Sequence, residues 1–140
     1  MASTQVTEQT SWDQVGDEVV NHLRELLRRD TRNPPGNEIR AAEYLRTVLD
    51  REGIESQIVG PSPDRATIVA RIRGDGSARP LLLMSHIDVV AVEPDKWSHD
   101  PFGAEIADGY LYGRGALERQ IDLSGAYLTG RYPAVRGSFF

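Results

Sequence analysis

The apolar positions of this chain change their period twice, and each change marks a new kind of element. Trp12, Val15, Val19, Leu23, Leu26 and Leu27 recur at three- and four-residue steps, the spacing of one helix face. Ser11 precedes them as an N-cap with Asp13 in the first turn, so the spacing predicts an amphipathic helix from Ser11 to Arg29. Asp30-Thr31-Arg32-Asn33-Pro34-Pro35-Gly36-Asn37 breaks it, because consecutive prolines lack backbone donors and push the residues before them out of the helical region. Ile39, Ala42, Leu45, Val48 and Leu49 restore the helical period, predicting a second helix over 38–52 that stops at Gly53.

Beyond Gly53 the pattern shortens to three β-like runs, Ile54–Val59, Ala66–Ile72 and Leu81–Met84, separated by Gly60-Pro61-Ser62-Pro63 and Gly74-Asp75-Gly76. The middle run alternates and predicts a half-exposed strand. Leu81-Leu82-Leu83-Met84 is apolar throughout, the mark of a strand buried on both faces. Asp108-Gly109 between Glu105-Ile106-Ala107 and Tyr110-Leu111-Tyr112 is a two-residue hairpin signal. Two N-terminal helices followed by strands predict an α/β fold with a mixed sheet, its functional residues past the carboxyl end of the buried strand. The polar residues 1–10 are expected to fray as a flexible tail.

Composition narrows the chemistry. With 39% hydrophobic and 26% charged residues the chain has a globular balance. Its formal charge of −5, from 16 basic and 21 acidic residues, gives no field suited to nucleic acid. No stretch has the roughly 20 apolar residues of a membrane span, and the start lacks the basic and apolar regions of a signal peptide, so a cytoplasmic location is expected. There is no cysteine, which leaves a metal only His, Asp and Glu to bind, and the histidines are His22, His86 and His99.

The segment Ser85-His86-Ile87-Asp88-Val89-Val90 directly follows the apolar run. Residues two apart on extended backbone project to the same side, so Asp88 can accept a ring N–H from His86, fix its tautomer and raise the basicity of the other nitrogen. A metal ligand commonly has such a partner. A strand-end histidine merely paired with a neighbouring acid has the same spacing.

Longer blocks favour the metal reading. Ser85-His86-Ile87-Asp88-Val89-Val90, Lys96-Trp97-Ser98-His99-Asp100-Pro101-Phe102 and Gly109-Tyr110-Leu111-Tyr112-Gly113-Arg114-Gly115-Ala116 resemble, in order, the zinc metallohydrolase family of aminoacylases, acetylornithine deacetylases, succinyl-diaminopimelate desuccinylases and carboxypeptidase G. The loop 30–38 is similar to that family's connection between its first two helices, so the resemblance covers residues 15–117. It implies the N-terminal part of a zinc-aminopeptidase-type catalytic domain, two zinc ions per site, and hydrolysis of amide bonds in N-acyl amino acids or peptides. His86 would be a zinc ligand and Asp88 its orienting, catalytically important neighbour.

The family next places a metal-bridging Asp where this chain has Glu118, followed by Arg119-Gln120-Ile121. The extra carbon–carbon bond moves the carboxylate ~1.5 Å outward, a poor fit to a bridge between metals about 3.5–4 Å apart. The family's later ligands and its general-base Glu find no matching positions. Residues 118–140 therefore read as a divergent tail left by truncation or a frameshift after Leu117, and this isolated chain is expected to be inactive. The competing reading is a non-enzymatic fragment or pseudoenzyme that self-associates through uncovered sheet edges or binds a partner.

Other candidates have plainer explanations. His22 shares the face of Val15, Val19 and Leu26 and reads as a residue at the core margin. His99 reads as structural, Trp97 and Phe102 as loop anchors ahead of cleft lining, and Arg24, Arg28, Arg29 and Arg32 as a solvated face among acids. Gly113-Arg114-Gly115 lacks the rest of a phosphate-binding loop and reads as a tight turn.

Overall fold

The structure, a computed structural model, describes residues 11–117. Helix α1 spans Trp12–Leu27, and the Ser11 side chain accepts from the Gln14 amide at its start. Helix α2 spans Ile39–Arg51, and Gly53 follows in the left-handed conformation, φ 69°. Both helices thus end within two residues of their expected limits. No helix among the described residues is long and apolar enough to cross a membrane.

The strands form two separate antiparallel pairs. Strand β1, Ser56–Val59, pairs with β2, Thr67–Ala70, and Ile58 lies opposite Ile68. Both isoleucines are half-buried while Gln57 and Val69 face outward, the alternation of a sheet with one covered face. Strand β3, Glu105–Ala107, pairs with β4, Tyr110–Tyr112. Their turn has positive φ at both Asp108 (51°) and Gly109 (79°), as a type I′ hairpin requires.

Each pair is matched to a helix. Helix α2 packs against β1 and β2. Leu23 and Leu27 of α1 form a buried cluster with Ala104, Leu111 and Ala116 around the β3–β4 hairpin. Gly113 permits that packing: a Cβ there would stand 2.9 Å from Leu27 Cδ1. Arg24 Nε ties α1 to the same region by donating to the Ala104 carbonyl at 3.1 Å.

Between the two helices, Val89 N donates to the Thr31 carbonyl at 3.1 Å and Asn33 N to the Val89 carbonyl at 2.8 Å. These bonds make a parallel bridge between Arg32 and Val89, and they bring the proline-rich loop alongside the residues that follow the apolar run.

The α/β class and the order of helices before strands hold, but the expected buried strand at 81–84 does not. Leu81, Leu82, Leu83 and Met84 are 83, 76, 69 and 83% exposed. Burial on both faces requires neighbouring strands and covering layers. Among the described residues no strand pairs with this run, both sheets are wholly antiparallel, and the parallel bridge between Arg32 and Val89 lies outside them. Residues 1–10 and 118–140, including the expected tails and Glu118, lie outside the described residues.

Candidate active site

His86 and Asp88 come together just after the apolar run. His86 Nδ1 lies 3.0 Å from the Asp88 carbonyl oxygen and 3.1 Å from Asp88 Oδ1. Both oxygens are acceptors, so a neutral His86 must carry its proton on Nδ1 to make these bonds. Nε2 then holds the lone pair, the arrangement a metal-binding imidazole requires. The His86 side chain is 57% exposed, and its ring is reachable from solvent.

The carboxylate has a second partner that sequence spacing did not reveal. Asn33 Nδ2 donates to Asp88 Oδ2 at 3.0 Å. This bond is the leading cause holding the Asp88 carboxyl below its ordinary value; partial burial opposes it and the His86 bond reinforces it. Thr31, fully buried, donates through Oγ1 to the Ile87 carbonyl at 2.7 Å. Three successive residues, Ile87, Asp88 and Val89, are therefore held by Thr31 and Asn33.

The flanking charges are engaged elsewhere. Arg32 makes a bidentate pair with Asp30, with contacts of 2.6 to 3.0 Å, and its guanidinium lies 5.2 Å from the Phe102 ring centre. Arg114 similarly lies over Trp97 at 5.0 Å and donates its backbone N–H to the Pro101 carbonyl at 2.7 Å. Both aromatic residues thus anchor the loop that connects the site segment to the hairpin. Gly115 has φ 80°, in keeping with a turn at Gly113-Arg114-Gly115.

The other histidines sit in different surroundings. His99 Nδ1 meets Glu105 Oε2 at 3.0 Å, and its ring lies 3.9 Å from that of Tyr112, so it braces the hairpin. His22 Nδ1 meets the Tyr44 hydroxyl at 2.6 Å and joins α1 to α2.

As a zinc site the described residues are incomplete. They contain no group of three or more His, Asp or Glu side chains able to hold a metal, whereas a catalytic zinc takes about three protein ligands. His86 with Asp88 behind it supplies one oriented nitrogen. Glu118 lies outside the described residues and the geometry does not reach it.

Residues 82–123 match the family described as Peptidase family M20/M25/M40. A probable succinyl-diaminopimelate desuccinylase of Staphylococcus aureus is 37% identical over 114 residues, 80% of this chain and 27% of that protein. One from Staphylococcus epidermidis is 39% identical over 98 residues, 69% of this chain and 23% of its own length. A succinyl-diaminopimelate desuccinylase of Methylorubrum extorquens is 48% identical over 84 residues, 56% of this chain and 21% of that protein. The chain spans about a quarter of the length of the curated relatives it matches. The matched family segment contains both His86 and Asp88, and with the partial matches to the desuccinylases it supports a relationship of this chain to the M20/M25/M40 family of metallohydrolases.

Proposed function

We propose that this chain supplies the His86–Asp88 part of a metal-dependent amide hydrolase site, with zinc as the metal and N-acyl amino acids or peptides as substrates. A succinyl amide is the favoured acyl class, since the similar proteins are named as desuccinylases of succinyl-diaminopimelate. The observation that supports the reading is the Nδ1 contact of His86 with Asp88, which leaves the Nε2 lone pair available to a metal. In the complete site zinc would polarise the amide carbonyl and lower the pKa of a bound water. His86 would ligate it, and Asp88 would hold the ring. One ligand does not retain a catalytic metal, so turnover requires donors from outside residues 11–117: Glu118, other residues of the tail, or a second polypeptide. On this reading the described unit is inactive alone.

A zinc titration of the metal-free 140-residue chain, followed on the ring signals of its three histidines, tests the assignment. His86 should respond first, ahead of His22 and His99. A first response at either of the others, or an equal response at all three, overturns it.

One observation favours a second, non-enzymatic reading. Leu81, Leu82, Leu83 and Met84 are four consecutive apolar side chains, each more than two-thirds exposed, and such a run favours association with a second copy.

A further inference from the structure

We propose that Asn33 is a positioning residue for His86, acting through Asp88. The inference rests on the reading of His86 as a metal ligand for its chemical purpose; the geometry stands without a metal. The terminal torsion of an Asp side chain has a broad, weakly defined preference, and Asp88 is partly open to solvent, its side chain 35% exposed. Backbone conformation alone therefore does not fix which way its carboxylate turns. The bond from Asn33 Nδ2 to Oδ2 at 3.0 Å clamps one oxygen, and the other then faces His86 Nδ1 at 3.1 Å.

Asn33 can do this because its own backbone is fixed. Its N–H donates to the Val89 carbonyl at 2.8 Å, while Val89 N–H donates to the Thr31 carbonyl at 3.1 Å. Asp88 lies between the tethered residues Ile87 and Val89. A one-residue slip of the loop would place Arg32 or Pro34 at the position of Asn33. Proline brings no side-chain donor. Arginine would bring a full positive charge that competes with the imidazole for the carboxylate. Arg32 is instead engaged by Asp30. The Asp88 carboxylate is thus oriented by a neutral amide that leaves its negative charge to polarise His86.

The test reads the tautomer of His86 by nitrogen NMR in the metal-free 140-residue chain at about pH 8, above the ordinary histidine pKa of roughly 6.5. The unaltered chain should show the proton on Nδ1. Asn33→Leu keeps nearly the same side-chain shape without the donor; with the carboxylate free to turn and the Asp88 carbonyl left as the fixed acceptor for Nδ1, the Nε2-protonated form should gain at the expense of the Nδ1–H form, while the methyl signals of Leu23 and Leu27 stay unchanged. An unchanged ratio of the two tautomers in a folded Asn33→Leu chain overturns the proposal. A second measurement leaves Asn33 intact: Asp88→Ala should shift the Asn33 side-chain amide protons toward solvent-exposed values, and no shift there overturns it equally. A tautomer that depends on Asn33 in a chain whose histidines respond equally to zinc would sustain this inference and remove the metal assignment.

Discussion

The Thr31 hydroxyl donates to the Ile87 carbonyl at 2.7 Å across a sequence separation of 56 residues, and Thr31 is wholly buried. This bond joins the loop between the helices to the segment that carries His86 and Asp88. Thr31→Val keeps the shape and removes the donor. It should lower stability by about 1–3 kcal/mol, the usual effect of deleting one partner of a buried hydrogen bond. Urea denaturation of the two chains checks this, and an unchanged midpoint would show that the loop is held by its backbone bonds alone.

Packing of α1 on the hairpin depends on Gly113. The 2.9 Å approach of its would-be Cβ to Leu27 Cδ1 predicts that Gly113→Ala overpacks the cluster and lowers stability by about 1–3 kcal/mol. Combined with Leu27→Val, which removes one methylene, the loss should be smaller than the sum of the two single losses. Denaturation of the single and double variants measures that coupling; strict additivity would mean that Leu27 moves aside freely.

Stability should fall in acid partly through Asp30. The bonds from Arg32, led by the side-chain pair, hold the Asp30 carboxyl below its ordinary value of 3.8. A carboxyl whose folded pKa is depressed contributes its full stabilisation above the unfolded value, and loses it as pH falls through the folded one. Asp30→Asn should therefore be less stable than the unaltered chain at neutral pH, and the difference should shrink as pH drops below 3.8. Denaturation midpoints across that range test the sign. A difference that grows toward acid would contradict it.

The uncovered run 81–84 should control self-association. Replacing Leu82 and Met84 together by Lys places charge on a segment where both are more than three-quarters exposed, so the fold should be unaffected while association is weakened. Sedimentation across a concentration series should show a larger fraction of monomer in the variant. Identical profiles would locate any association elsewhere.

Local signals made the helices and the hairpin legible in the sequence. Ser11, Gly53 and the Asp108-Gly109 pair act through their immediate neighbours, and the structure places α1, α2 and the β3–β4 turn accordingly. The relation of His86 to Asp88 was legible for the same reason, since two residues on extended backbone share a side. Burial of Leu81–Met84 was not, because it depends on neighbouring strands and covering layers rather than on the run's own composition. Asn33 escaped notice because no spacing relates it to Asp88, 55 residues away; a parallel bridge brings them together. An asparagine just before two prolines reads, by itself, as nothing more than a turn residue.

The most direct test of the central claim puts residues 82–117 of this chain, the part of the family-matched segment that ends before Glu118, in place of the corresponding residues of the Methylorubrum extorquens relative and measures hydrolysis of succinyl-diaminopimelate. An active chimera is the expected result. His86→Ala within it should abolish turnover, and Asp88→Ala should lower it about 10- to 100-fold, as loss of a ligand-orienting carboxylate does. A folded chimera without activity, or one whose His86→Ala form hydrolyses as fast as its parent, would contradict the claim that this segment carries a working part of a metallohydrolase site.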